Sequence, residues 1–249
     1  VARYFIKLSY CGTAYNGWQS QPHKGTVTVQ DRIENALATY LRTDVEIMGC
    51  GRTDTGVHAK DYYAHFDSEE VGDIATLIYR VNKILPNDIA IHDIIKVHDD
   101  AHARFDASSR SYQYHLHVAK SPFADRSYFY HYARPNLQVL NEAASMLLAY
   151  SDFTTFCKVN TDVHTMQCRI KECFWTQDGE TYIFQISADR FLRGMIRLIV
   201  GMCLQVSRGK LTIDEVRKAL EEKRRIGQDW SVPAIGLVLC DIKYPYLTE

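Results

Sequence analysis

The chain has 249 residues, 46% of them hydrophobic and 24% charged, with a net charge of −1 and a pI near 6.8. This composition excludes disordered, collagen-like and coiled-coil chains, and the length allows one large domain or two modest ones with real cores. The near-neutral total carries no electrostatic signature of nucleic-acid binding, so any such function must come from local patches.

Residues 3–10 alternate as a strand does, directly from the first residues, and no signal peptide is expected. Gly12, Asn16, Gly17 and Pro22 then mark a loop carrying Trp18, Gln19, Ser20 and Gln21. From Val29 apolar residues recur at helical spacing through Ile33, Leu37 and Leu41. Val45 to Met48 reads as a second strand and Tyr62 to Phe66 as a third, joined by the segment Gly51–Ala59. A helix over Ile74 to Leu85 is stopped by Pro86, and Ile89 to Val97 is a further apolar run. Strand, helix, strand, strand, helix, strand is the order of a ferredoxin-like α+β unit, and it fits residues 1–100.

The second half starts afresh. Ser111 to Val118 alternates as a strand, Leu137 to Leu148 is helical, Cys168 and Cys173 lie in a strand-like region, and Thr181 to Ser187 is a strand. Phe191 to Val206 reads as a helix, Leu211 to Arg225 as a charged amphipathic helix, and Leu237 to Ile242 as a closing strand. The expected class is α+β in two sheet-based units, with a boundary near residues 99–106. The longest apolar stretch, Leu198 to Val206, is far short of the ~20 residues of a membrane span, so no membrane association is expected. The seven cysteines (11, 50, 157, 168, 173, 203 and 240) are scattered without a C-x-x-C pair. Neither a zinc site nor a disulfide framework is expected, and reduced cytoplasmic thiols fit better.

Chemistry concentrates at Asp54. Gly49, Gly51 and Gly56 surround it, so the carboxylate sits on a loop that turns freely and admits a bulky partner. Arg52 and His58 flank it, which suits a site holding an anionic phosphate and an acid together. A tight turn closed by an Asx-type hydrogen bond is an equal reading of the spacing. Asp54-Thr55-Gly56 is also the triplet of aspartic proteases, which share a proton between two such carboxylates. Here Arg52-Thr53 precede it in place of an apolar strand, and no second triplet occurs, which argues against that chemistry.

Residues 51–59 (GRTDTGVHA) resemble the G-R-T-D-x-G-V-H-A signature of the tRNA pseudouridine synthase A family. Five further blocks resemble that family in the right order: Gly12–Gln19 (GTAYNGWQ), Ala103–Phe105 with Arg110–Tyr114 (RSYQY), Asp152–Cys157 (DFTTFC), Phe191–Arg197 (FLRGMIR), and Pro233–Leu237 (PAIGL) with Tyr244-Pro245. Together they run from near residue 3 to 245.

The resemblance implies an isomerase converting uridine to pseudouridine at positions 38, 39 and 40 of the tRNA anticodon stem-loop, without metal, nucleotide or organic cofactor. It implies two ferredoxin-like units with mostly antiparallel sheets forming a central cleft, residues 1–103 carrying the catalytic aspartate and 104–249 completing the cleft. It also implies a cytoplasmic homodimer that binds tRNA across two subunits. Asp54 matches the essential aspartate, and Arg197 the cation that pairs with it and keeps it anionic in a closed pocket. Tyr112 matches the tyrosine that stacks on the extruded uracil; alternation alone would make it a core tyrosine. Arg52 is a candidate for filling the space of the extruded base or gripping its phosphate, and His58 is read as structural. Arg190, Arg193 and Arg197 sit at i, i+3 and i+7, hence on one helix face, lining a phosphate-facing groove or simply solvated. From Arg190 to Arg225 ten Lys/Arg stand against four Asp/Glu, which fits an RNA groove, although charged helices are more often solvated faces.

The chain departs from the family pattern in three places: Ser20 where arginine is frequent, Thr55 for alanine, and Arg193-Gly194 where a histidine often stands. A catalytically silent RNA-binding scaffold is the main alternative, and the intact Asp54, Tyr112 and Arg197 argue against it.

Overall fold

Alternating residues make β1 (Ala2–Tyr10) a strand whose Tyr4, Ile6, Leu8 and Tyr10 are all buried, while Arg3 and Lys7 on the opposite face meet acids of a neighbouring strand. The computed structural model describes residues 1–21, 25–69, 71–158, 165–227 and 229–247. Pro22, one of the expected loop markers, lies outside the described residues. The architecture is mixed α+β, with mostly antiparallel strands and five α-helices among the described residues. The chain forms two compact units, Val1–Ser108 with Val238–Glu249, and Ser109–Leu237.

In the first unit α1 (Val29–Leu41) begins where the Thr28 side chain accepts the Asp31 backbone N–H, and it buries Val29, Ile33, Ala36 and Leu37. β2 is only Met48–Gly49, shorter than the strand expected from Val45, whereas β3 (His58–Ser68) starts four residues before the expected Tyr62. Side-chain character marks where a strand is buried. Backbone pairing sets its ends, and His58 and Ala59 gain theirs from a distant segment, β9 (Leu237–Lys243). α2 (Ile74–Ile84) is capped by Asp73 and ends ahead of Pro86, and β4 (Ile89–Val97) follows. The strands order as β4-β1-β3-β2, antiparallel at every step, and β9 joins β3 in parallel at His58 and Ala59. The β-α-β-β-α-β order expected over residues 1–100 is therefore present.

One end of this sheet is closely pinned. Arg3 meets Asp67 through two 2.7 Å hydrogen bonds and donates a third to the Ala101 carbonyl at 3.0 Å. The Ala103 N–H donates to Nδ1 of His65 at 3.2 Å, and the Tyr244 hydroxyl donates to the Ala103 carbonyl. Burial pushes the pKa of His65 down to about 4, helped by the nearby charges of Arg3 and His102.

In the second unit β5 (Ser109–His117) pairs antiparallel with β8 (Thr181–Ala188), which forms a hairpin with β7 (Ile170–Asp178). The two-residue β6 (Tyr128–Phe129) runs parallel along β5. α3 (Leu137–Ser145) docks on β7 through Asn141, whose amide both accepts the Trp175 N–H at 2.8 Å and donates to its carbonyl at 3.0 Å. α4 (Met195–Ser207) is buried almost all round, from Met195 through Leu204. α5 (Ile213–Glu221) opens with a capping box of Thr212 and Glu215. Among the described residues no helix is long and apolar enough to cross a membrane.

The expected helix from Phe191 is corrected: α4 starts at Met195. Gly194 stands before it at φ 72°, in the left-handed region, and the Met195 N–H closes a turn onto the Leu192 carbonyl. Arg190 and Arg193 therefore lie on the approach to the helix, and only Arg197 is helical. The shared helix face inferred from their spacing does not exist.

Candidate active site

The segment carrying Asp54 leaves β2 and returns as β3, and three layers of contacts within the first unit hold it. At its start the Cys50 N–H donates to the Tyr63 carbonyl at 2.8 Å, and the Tyr62 hydroxyl donates to the Gly51 carbonyl. In the middle the Trp18 N–H reaches the Thr53 carbonyl at 3.3 Å, and the Tyr10 and Thr53 hydroxyls are 2.8 Å apart. At the far side the Val57 N–H donates to the Asp54 carbonyl at 3.1 Å, closing a turn over Asp54–Val57. His58 is 2% exposed and its Nδ1 accepts the Gly12 N–H at 3.0 Å, so that nitrogen carries no proton and the ring acts as a buried peg.

Behind these bonds stands an aromatic group. The Trp18 and Tyr62 rings stack with centroids 3.9 Å apart, and Tyr10 meets both at 6.0 and 5.6 Å. Such pairs each add about 0.5–1.5 kcal/mol beyond their buried area. Burial raises the pKa of Tyr62 well above that of a free phenol, so it stays a hydrogen-bond donor. Gly17, at φ 94°, brings the 12–18 loop into contact. A Cβ there would lie 2.5 Å from the Thr53 carbonyl oxygen and 3.4 Å from the carbonyl carbon of Asp54. The result is a rigid backbone that leaves Asp54 partly exposed and Arg52 exposed on the same loop. A carboxylate fixed in this way is suited to meeting a substrate.

Tyr112 and Arg197 belong to the second unit. Tyr112 lies on β5, partly exposed, with its ring edge-on to Phe191 at 5.3 Å. Arg197, in the first turn of α4, donates from Nε to the Val232 carbonyl at 2.6 Å, which fixes the direction of its planar guanidinium. The Arg190 N–H bonds to the carboxylate of Asp189 at 2.7 Å, and Arg193 is exposed. The structure thus places Arg52 and Asp54 on one loop of the first unit, and Tyr112 and Arg197 on neighbouring elements of the second. Part of the basic stretch is neutralised locally: Lys218 and Arg224 approach Glu222, and Lys223 approaches Asp152 at 3.0 Å.

Tyr10 and Tyr62 escaped the sequence reading, because tyrosines at alternating strand positions look like ordinary core residues. The available signal was their number beside Trp18 next to a glycine-rich loop.

Comparison with known proteins gives a consistent result. A family model described as tRNA pseudouridine synthase matches residues 143–245. A Parabacteroides distasonis protein named tRNA pseudouridine synthase A is 48% identical over 98% of this chain and 97% of its own length. The Bacteroides fragilis protein of that name is 48% identical with the same coverage, and that of Bacillus subtilis is 37% identical over 95% of this chain and 97% of its own length.

Proposed function

The chain belongs to the tRNA pseudouridine synthase A family, and from that premise we propose that it isomerises uridine to pseudouridine at positions 38, 39 and 40 of the tRNA anticodon stem-loop. The observation that carries this reading is identity of 37–48% along 95–98% of the chain.

In the reaction the N1–C1′ bond breaks, a C5–C1′ bond forms, N1 gains a proton and C5 gives its hydrogen to solvent. Substrate and product are isomers, so no oxidant, reductant or group donor enters. Asp54 is the reacting carboxylate, and Tyr10, Trp18 and Tyr62 hold the segment that leads into it at Gly51 and Thr53. Arg197 is the cation that acts with it; the motif match supports both roles. Tyr112 stacks on the uracil, since an aromatic face recognises an unstacked base, and Arg52 grips the nucleotide's phosphate or fills the space of the extruded base. We read residues 1–103 as the domain that brings the aspartate and 104–249 as the domain that completes the site, each ferredoxin-like. The enzyme acts in the cytoplasm as a homodimer, which size-exclusion chromatography with light scattering tests.

The test of function is release of tritium from unmodified tRNA labelled at uridine C5. The parent protein releases it and Asp54→Ala does not. No release by the parent with tRNA still bound makes the protein a silent RNA-binding scaffold, and release surviving Asp54→Ala removes the aspartate's role.

A further inference from the structure

A second group of aromatic side chains, in the second unit, has no place in the reaction. Tyr128, Tyr130 and Tyr132 follow one another at and beyond β6, with ring centroids 6.1 and 5.2 Å apart. Arg208 caps the C-terminus of α4 and lays its guanidinium over Tyr132, with Cζ 4.0 Å from the ring centroid. Tyr132 is 45% exposed, and Phe129, three residues earlier, is 41% exposed and stacked on His117 at 5.4 Å. Tyr130 is 2% exposed, yet its hydroxyl has no hydrogen-bond partner among the described residues. Arg208 makes no ion pair among the described residues. Arg208 acts electrostatically on both Tyr128 and Tyr130, and no carboxylate does so. Burial raises both phenols, so both remain protonated donors.

The cluster therefore gathers donors without acceptors. A buried hydroxyl without a partner is costly and rare, and a group of such donors around a cation is complementary to an anionic oxygen. The flanking exposed rings of Phe129 and Tyr132 add faces on which a base or ribose rests, which a free inorganic anion would not use. We propose that Tyr128, Tyr130 and Arg208 form a subsite for a phosphodiester of the RNA backbone, with Phe129 and Tyr132 as its aromatic margin. This rests on the reading that the substrate is tRNA.

The subsite serves a nucleotide other than the one that reacts. Arg197 and Arg208 stand eleven residues apart in sequence, which is about 16 Å along a helix. Tyr114 lies between the two groups, its phenol subject to both Arg197 and Tyr128 while donating to the Pro233 carbonyl at 2.8 Å. A contact of this kind tightens tRNA binding and leaves the chemical step alone.

The experiment compares Arg208→Ala and Tyr130→Phe with Arg80→Ala, an exposed position on α2 that removes the same charge. Arg208→Ala is expected to weaken tRNA binding roughly tenfold at 0.1 M salt and to lower the salt slope of log K by about one, with the single-turnover rate at saturating tRNA unchanged. Tyr130→Phe is expected to weaken tRNA binding several-fold while its melting temperature stays level or rises, because the lost hydroxyl had no partner. Binding by Arg208→Ala that matches Arg80→Ala, in affinity and in slope, overturns the proposal. So does an Arg208-dependent rise in melting temperature with inorganic phosphate alone and no change in tRNA affinity, which assigns the cluster to a free anion. Absent tritium release by the parent protein would instead sink the functional reading.

Discussion

The hydroxyls of Tyr10 and Thr53 are 2.8 Å apart, and Thr53 is the residue immediately before Asp54. A strand of the sheet thus fixes the residue before the carboxylate we propose as reactive through a side-chain bond. Tyr10→Phe keeps the ring and its contacts with Trp18 and Tyr62 and removes the hydroxyl that meets Thr53. We expect a stability loss of about 0.5–1.5 kcal/mol and a fall in kcat of about tenfold with KM nearly unchanged. Steady-state tritium release checks it. An unchanged kcat means that Tyr10 is structural only.

Gly17→Ala attacks the same loop from the other side. The new Cβ meets the Thr53 carbonyl at 2.5 Å in a left-handed backbone conformation. Left-handed strain alone costs about 1–2 kcal/mol, and the collision adds to it. Chemical denaturation is expected to show a loss of roughly 2 kcal/mol or more, with activity falling further than stability because the loop of Asp54 must shift.

The proposed roles of Asp54 and Arg197 are tested by conservative changes. Asp54→Asn is expected to abolish tritium release while circular dichroism and tRNA binding persist. Arg197→Lys keeps the positive charge but has no Nε to donate to the Val232 carbonyl. Its kcat is expected to fall by about tenfold or more, since a lysine does not reproduce the directed planar fork. A fully active Arg197→Lys variant would reduce that residue's role to charge alone.

His65 gives the first unit an acid-sensitive point. Its folded-state pKa of about 4 lies below the ordinary 6.5, so the folded form holds the ring neutral. The stabilisation is complete above pH 6.5 and is lost as the pH falls toward 4, because the unfolded chain takes up the proton first. The loss is on the order of 2–3 kcal/mol. In His65→Asn the side-chain oxygen still accepts the Ala103 N–H. Urea unfolding of that variant is expected to weaken less than the parent between pH 6.5 and 4.5; parallel curves would remove the assignment.

Much of the first unit is legible in the sequence, because each local signal agrees with its neighbours: Thr28 caps α1, Pro86 stops α2, and the apolar run at Ile89–Val97 is β4 to the residue. β2 and the start of α4 were not legible. Met48 and Gly49 are a strand through their partners His65 and Ala64, and Gly194 breaks the helical pattern through its left-handed backbone, which periodicity does not register. Asp54 could be found because its motif is contiguous. The residues that hold it, Tyr10, Trp18 and Tyr62, come from three separate segments, and only the folded chain shows that they meet.

The pairing of β9 with β3 bears on biosynthesis. Val238 and Leu239 hydrogen-bond alongside His58 and Ala59, directly after the segment of Asp54. Roughly 130 residues of the second unit separate Ser108 from Val238, and at 5–20 residues per second a ribosome needs about 6–26 s to cross them. During that interval the first unit exists with the edge of β3 unpaired beside its reacting loop. A nascent or prematurely stopped chain therefore has the aspartate but not the strand that finishes its support. The last strand to be made is thus the one that covers the edge of β3 beside this loop, and a chain stopped before residue 238 leaves that edge open.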